Sequence, residues 1–326
     1  MYPRLSDVFR DLLGFEFPIP IYSFGAMVAA GALVAGWLLG KELDRYYRAG
    51  RLNGVRMKVD TKKDAGNTSK KRKGAARRRS SHKLVAPSNA VWLITMVALG
   101  SGFLGARVFH ILENLDQFAA DPGGMLFASG GFTFYGGLIV ATICVSWYVW
   151  SKGLSVKLFA DSLAPGLMLA YGIGRLGCHL SGDGDWGIPS NAAARPDWIP
   201  VWLWSESYPN NILGNTEVIQ NPVYPTPIYE FLMATVLFAI LWSVRKHPYL
   251  AGWTFSLYLV FAGVERYLIE QIRVNETFPF FGQIFTQAEF ISIILIVVGV
   301  IGLALLTRRR EPDGIAAPEN VAPTAT

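Results

Sequence analysis

Along this chain, apolar runs of about 20 residues alternate with short polar connections. Seven runs stand out, at about 21–40, 91–112, 131–150, 158–179, 226–244, 251–271 and 286–307. A helix of that length covers ~30 Å, the thickness of a bilayer's hydrocarbon core. Lipid offers backbone N–H and C=O groups no partner, so each run must satisfy its own, as a helix does. The pattern predicts an all-α integral membrane protein with about seven transmembrane helices in one bundle. By length alone, 326 residues suggest two soluble domains, a reading the spacing of the runs overrides.

The connections alternate in charge. Basic residues crowd the 41–90 segment, recur at Lys152 and Lys157 and at Arg245-Lys246-His247, and close the last run at Arg308-Arg309-Arg310. The opposite connections carry Glu113, Asp116 and Asp121, then Asp183 and Asp185, then Glu276. The positive-inside rule predicts an outside N-terminus and an inside C-terminus. Residues 1–20 form an outer interfacial segment, with Val8, Leu12, Leu13 and Phe15 among charges. Residues 21–40 make the first span and 41–90 a disordered basic cytoplasmic loop. Residues 91–310 form the transmembrane catalytic bundle, with an outer loop at 181–225, and 311–326 a disordered tail. Trp186, Trp198, Trp202 and Trp204 in the outer loop suit the headgroup level.

Composition sharpens this picture. The chain is 52% hydrophobic, with a formal net charge of +6. Sixteen of the thirty Lys and Arg lie between Lys41 and Lys83, including Lys70-Lys71-Arg72-Lys73 and Arg77-Arg78-Arg79. A run confined to one loop enforces orientation and meets anionic membrane lipid, so no nucleic-acid partner is predicted. Arg4, Asp7, Arg10, Asp11 and Glu16 interrupt any apolar signal core, which argues against a cleavable leader. Cys144 and Cys178 make no disulfide framework or zinc spacing, and four scattered histidines add no metal site.

The chemistry concentrates where the fourth run ends, in Gly174-Arg175-Leu176-Gly177-Cys178-His179-Leu180-Ser181-Gly182-Asp183-Gly184-Asp185-Trp186-Gly187. A charge in a span is costly unless it is paired or faces water, so Arg175 marks a functional site. The glycines permit close backbone approach to a ligand. The sixth run ends in Glu265-Arg266-Tyr267-Leu268-Ile269-Glu270-Gln271-Ile272-Arg273. Arg266 and Glu270, spaced i,i+4, share a helix face. With Arg107 in the second run, three arginines on separate helices exceed what one or two carboxylates need. A lipid phosphate is the natural missing anion, because guanidiniums grip phosphate with two hydrogen bonds. Gly136 and Gly137, after Tyr135, fit either a close helix contact or an anion at a helix N-terminus. In Tyr224-Pro225-Thr226-Pro227-Ile228-Tyr229-Glu230 the prolines are helix-start residues, and Glu230 favours the positive helix end. His179 reads as a hydrogen-bonded structural residue and Cys178 as a small buried thiol.

Together these residues resemble the prolipoprotein diacylglyceryl transferase family of bacterial inner-membrane enzymes. The matching pieces, in family order, are Ser23-Phe24-Gly25, Gly105-Ala106-Arg107, Tyr135-Gly136-Gly137-Leu138, the Gly174–Gly187 signature, Tyr224–Glu230 and Arg266…Glu270…Arg273. The basic 41–90 insertion lies outside the resemblance. The family implies transfer of the diacylglyceryl group of phosphatidylglycerol to the thiol of a lipobox cysteine in a prolipoprotein signal peptide. A thioether forms, glycerol phosphate leaves, and no metal or cofactor takes part. On this resemblance the catalytic residues are Arg175, Arg266, Glu270, Asp183 and Asp185. The substrate-binding set is Arg107, Tyr135, Gly136, Gly137, Gly174, Gly177, Cys178, His179, Gly187, Tyr229, Glu230 and Arg273.

The chain departs from the family pattern at several positions. Tyr135 replaces the usual His before Gly-Gly, Phe24 a Tyr, Cys178 an Asn, and Tyr224 a His. Either Asp183 or Asp185 matches the signature's glutamate. The general base therefore falls to Asp183, Glu270 or His179. Two rivals remain: a phospholipid-dependent transferase with another acceptor, and a non-enzymatic anion transporter. Against the transporter stands the lack of a second copy of the signature, since transporters often repeat their broken helices.

Overall fold

A computed structural model describes residues 2–15, 20–59, 81–127, 131–275, 277–280 and 283–308. The Lys70–Arg79 clusters, Glu276, Arg309-Arg310 and the 311–326 tail lie outside these residues. In chain order the helices are α1 (Leu5–Leu13), α2 (Ser23–Arg48), α3 (Val91–Glu113), α4 (Leu115–Ala120), α5 (Pro122–Phe127) and α6 (Phe134–Ser151). They continue with α7 (Val156–Ser181), α8 (Val201–Trp204), α9 (Glu217–Gln220), α10 (Thr226–Val244), α11 (Trp253–Glu270) and α12 (Gln287–Thr307). Two antiparallel hairpins, β1 (Val55–Val59) with β2 (Ser81–Val85) and β3 (Thr277–Phe280) with β4 (Gln283–Thr286), complete it.

All seven apolar runs are helical. Six helices among the described residues are long and apolar enough to cross a bilayer. The run at 251–271 is the helix α11, but Glu265, Arg266 and Glu270 crowd its end, so it is less apolar than the six. The protein is an all-α, multi-pass membrane protein. The 41–90 segment, expected to be disordered, is regular at both ends. Helix α2 runs on to Arg48, β1 pairs with β2, and a 3-10 turn at Pro87–Ala90 leads into α3. The physical reason is local: Val55, Leu52 and Tyr46 are buried, so these flanks own an apolar anchor that a bare charge count misses.

The chain forms two compact units, to both of which α2 and α7 contribute. One comprises Leu39–Phe159. Within it α3 and α6 meet through glycines. A Cβ added at Gly105 would stand 2.6 Å from Val140 Cβ and 2.7 Å from Gly136 O. One added at Gly137 would lie 2.9 Å from Gly102 O. Such backbone approach is how helices associate where lipid competes equally for apolar side chains.

The other unit comprises the residues up to Leu38 and those from Ala160. Gly31 and Gly166 let α2 and α7 touch backbone to backbone, at Ala170 and Ala35 respectively, and Gly172 admits Ala234 of α10. Met168, Ala234 and Leu241 form a buried core to which Leu257, Tyr258 and Phe261 of α11 add. Asp161 of α7 accepts hydrogen bonds from Gly252 and Phe255 N–H at 2.6 and 2.8 Å, satisfying orphan donors at the start of α11. Helix α12 opens with a capping box between Thr286 and Glu289 and lies along α11 through Gly263 and Gly299. These contacts set α7, α10 and α11 side by side, with their charged ends together.

Candidate active site

The site grows from three helix ends in the second unit. Helix α7 contributes Tyr171 and Arg175 one turn apart, and the Arg175 guanidinium lies 4.9 Å from the Tyr171 ring centroid. Helix α10 begins at Thr226-Pro227 and presents Glu230 just past its first turn. Helix α11 delivers Glu265, Arg266 and Glu270, and Arg273 follows just beyond its end.

Glu230 is the hub. Its side chain is fully buried, and its Oε1 receives Arg175 Nε at 3.3 Å, Arg266 Nη1 at 3.5 Å and Arg273 Nη1 at 3.9 Å. The Tyr171 hydroxyl donates to the same oxygen at 2.7 Å. Arg266 also pairs with Glu270, Nη2 to Oε2 at 3.0 Å, and Asn275 Nδ2 donates to Glu270 Oε1 at 2.6 Å. Asp185 joins the outer loop to this set, one oxygen on Arg175 and the other on Arg273. Its own carbonyl accepts from Thr226 Oγ1 at 2.6 Å. Among the described residues, Glu230 Oε2 and Arg273 Nε have no hydrogen-bond partner.

The charges differ from the sequence expectation in two ways. Glu230 is no helix-end ornament, because three guanidiniums converge on it. Nor are there only one or two carboxylates for the arginines to meet, and Arg107 belongs to the other unit. Arg175, Arg266 and Arg273 face Asp185, Glu230, Glu265 and Glu270, three positive groups against four negative. The cause is tertiary. Carboxylates scattered over 86 positions, from 185 to 270, come together only once the helices dock.

The glycines also act otherwise than expected. A Cβ at Gly177 would lie 3.0 Å from Met27 Cβ, and one at Gly187 would lie 2.7 Å from Ile272 O. These two admit protein backbone, not ligand. Gly187 bridges to Arg273 and donates its N–H to Tyr224 O at 2.9 Å, which locks the signature's end to the segment after α11. Gly174 alone of the three faces open space.

The rest of the signature is anchored through the outer loop. His179 Nδ1 lies 3.1 Å from the Tyr208 hydroxyl, and Trp186 packs on the Tyr208 ring at 5.2 Å. Tyr208 is 1% exposed and has φ +36°, a strained region for a residue with a Cβ. Burial, then Glu206, raises its phenol well above the ordinary range. Of the four loop tryptophans, Trp198 and Trp202 are exposed as headgroup contacts would be, while Trp186 and Trp204 turn inward. Tyr229 donates to Leu203 O at 2.7 Å. With Ile199, Leu203, Trp204, Tyr224 and Ile272 it lines an apolar cavity of about 320 Å³.

Burial, then the neighbouring Asp185, pushes Asp183 above the usual carboxylate range. Burial would raise Asp185 too, but the Arg175 and Arg273 guanidiniums outweigh it and hold Asp185 low. Donor atoms of Cys178, Asp183 and Asp185 lie within 4.8 Å of one another, a spacing a cation site would have. The donor set does not fit a cation, because both Asp185 oxygens are already engaged by guanidiniums.

The remaining predicted residues belong to the other unit. Arg107 is buried, donates to Gly131 O at 3.0 Å, and lies 4.3 Å from the Phe132 ring centroid. Gly136 and Gly137 face α3, which fills the space an anion at this helix start would need. Tyr135 is partly buried beside Phe134, ring centroids 5.6 Å apart.

Sequence reasoning passed over Tyr171, Glu265 and Asn275. A signal existed for two of them. Glu265 is an ionisable group in an apolar run, and Tyr171 precedes Arg175 by four.

The fold defines a multi-pass membrane protein with a buried ion-pair cluster where three helix ends meet. Residues 73–305 match the family model of prolipoprotein diacylglyceryl transferase, and the chain belongs to that family. It is similar to the phosphatidylglycerol–prolipoprotein diacylglyceryl transferase of Corynebacterium diphtheriae, 30% identical across 66% of this chain and 77% of the relative. The enzymes of the same name from Leptospira interrogans and Oceanobacillus iheyensis are each 25% identical. They cover 91% and 87% of this chain, and 92% and 83% of their own lengths.

Proposed function

We propose that this protein transfers the diacylglyceryl group of phosphatidylglycerol to the thiol of a lipobox cysteine in a prolipoprotein signal peptide. A thioether forms and glycerol phosphate departs. Its place is the bacterial inner membrane, with the N-terminus outside, the C-terminus inside and the site toward the outer leaflet. The alternation of basic and acidic connections supports that orientation. The basic 41–90 segment then meets anionic lipid on the inner face.

The observation that carries the reading is the meeting of Arg175 and Arg266, from separate helices, at one buried carboxylate. Each guanidinium has five N–H donors, and the ion pairs engage two nitrogens of each arginine. Glu230 and Asp185 hold them in place before the lipid arrives, so little ordering cost remains for binding. Donors left unused then take the lipid phosphate, and Glu270 orients Arg266. As the C–O bond breaks, negative charge gathers on the phosphate oxygen, where pre-aimed donors in a dry site are most effective. The thiol must lose its proton first, because thiolate is the nucleophile.

The test is incubation of the purified protein with phosphatidylglycerol and a lipobox peptide, scored by peptide mass. A diacylglyceryl adduct is expected. An adduct formed only with another lipid or acceptor would mark a related transferase. No adduct, with anion flux in liposomes, would mark a transporter.

A further inference from the structure

The innermost part of the cluster holds two carboxylates that phosphate binding leaves unexplained. Glu230 is fully buried on α10, and Glu265, on α11, is 3% exposed. The Tyr171 hydroxyl stands between them, 2.7 Å from Glu230 Oε1 and 3.3 Å from Glu265 Oε1. A phenol has one hydroxyl proton, so it makes one full donation. The shorter contact makes Glu230 the acceptor. Glu265 is then left at most a weak share of that donation, and the contact becomes a full hydrogen bond when Glu265 carries a proton and donates it to the phenol oxygen.

The charges in the cluster point the same way. Three guanidiniums meet four carboxylates on or beside these helices, with Asp183 a fifth beside Asp185, so negative charge is in excess and protonating a buried carboxylate lowers it. Neighbouring buried carboxylates commonly share a proton, since both cannot ionise cheaply. The groups facing Glu265 are Glu230 on α10, Tyr171 and Arg175 on α7, and Arg266 and Tyr258 on its own helix. Among the described residues, no ion pair joins Glu265 to a guanidinium, whereas its helical neighbours Glu230 and Glu270 each have at least one. Of the carboxylates on α10 and α11, Glu265 is therefore the one with least reason to ionise.

We propose that Glu265 stores the proton of this site and exchanges it with Glu230 through the Tyr171 hydroxyl. Resting on the transferase reading above, this relay supplies the acid–base chemistry of the reaction. The thiol S–H proton passes to the Glu230–Tyr171–Glu265 set, entering at Glu230 Oε2, which has no hydrogen-bond partner among the described residues. The sulfur electron pair forms the S–C bond. The C–O bond breaks, its electron pair stays on the phosphate oxygen, and the set returns one proton to that oxygen. The relay begins and ends with one proton, and no other reactant is needed.

Glu265→Gln tests this cleanly, because the amide is the neutral isostere of the protonated acid and can still donate to Tyr171. A packing role predicts an unaffected enzyme, and a proton-storing role predicts an impaired one. The full-length protein is placed in phospholipid bilayers and measured in two ways. Infrared spectroscopy at neutral pH is expected to show the C=O stretch of a buried carboxylic acid, lost in Glu265→Gln. Transfer from phosphatidylglycerol to a lipobox peptide is expected to fall by about 10²–10⁴-fold in kcat for Glu265→Gln and Tyr171→Phe, with KM little changed. Wild-type kcat and pH profile in Glu265→Gln would overturn the proposal, as would a carbonyl band that the substitution leaves in place. The two readings fail separately. Peptide adduct without the Glu265 band rejects the proton store. The band without any adduct rejects the transferase.

Discussion

Arg175 shows how one residue's role depends on what the fold sets around it. In sequence it is an arginine at the end of an apolar run, which a snorkelling side chain explains equally well. In the structure its side chain is 17% exposed and tied to Asp185 and Glu230. Arg175→Ala is expected to lower transfer by at least about 10²-fold, the usual loss when one pre-aimed donor is removed. The variant should still reach the membrane fraction, and wild-type turnover would remove Arg175 from the phosphate site. The two signature aspartates should separate by pH. Asp185 is held low, so its stabilisation is present above the ordinary carboxylate range, about pH 4, and is lost as pH falls through its depressed value. Asp183 is raised, so its stabilising contribution is present in acid and is lost as pH rises through its raised value. Thermal unfolding in detergent should therefore show Asp185→Asn flattening the acid-side decline, and Asp183→Asn raising Tm at neutral pH.

Among the elements, the helices were legible from the sequence because their signal is local. A run of 20 apolar residues in lipid has few alternatives to a helix. Thr226-Pro227 does open α10 as helix-start residues. The glycines were only half legible, because a glycine does not say what will approach it. Gly105 and Gly136 admit each other's helix, and Gly187 admits the backbone at Ile272. Gly105→Ala should destabilise the protein by about 1–3 kcal/mol, the ordinary cost of an overpacked contact. Gly100 lies on the same helix with open space where its Cβ would stand. Gly100→Ala should thus leave stability unchanged or slightly raised. Equal effects in a detergent unfolding series would show that α3–α6 contact is not what Gly105 serves.

For the molecule as a whole, orientation is the property with the sharpest available test. A reporter active only in the cytoplasm, fused after residue 326, should be active, and one active only outside should be silent. The reverse result would put the site on the inner face and undo the lipid-donor geometry proposed above. The sequence by itself determined the membrane class, the positions of the seven helices and the stretches holding the charges, since each follows from hydropathy along a local window. Only the tertiary structure decided that Glu230 gathers three arginines, that Asp185 bridges Arg175 and Arg273, and that Tyr171 links Glu230 to Glu265. The reason is separation along the chain. Tyr171 and Glu265 are 94 positions apart, and no local pattern records a contact that exists only when α7, α10 and α11 dock.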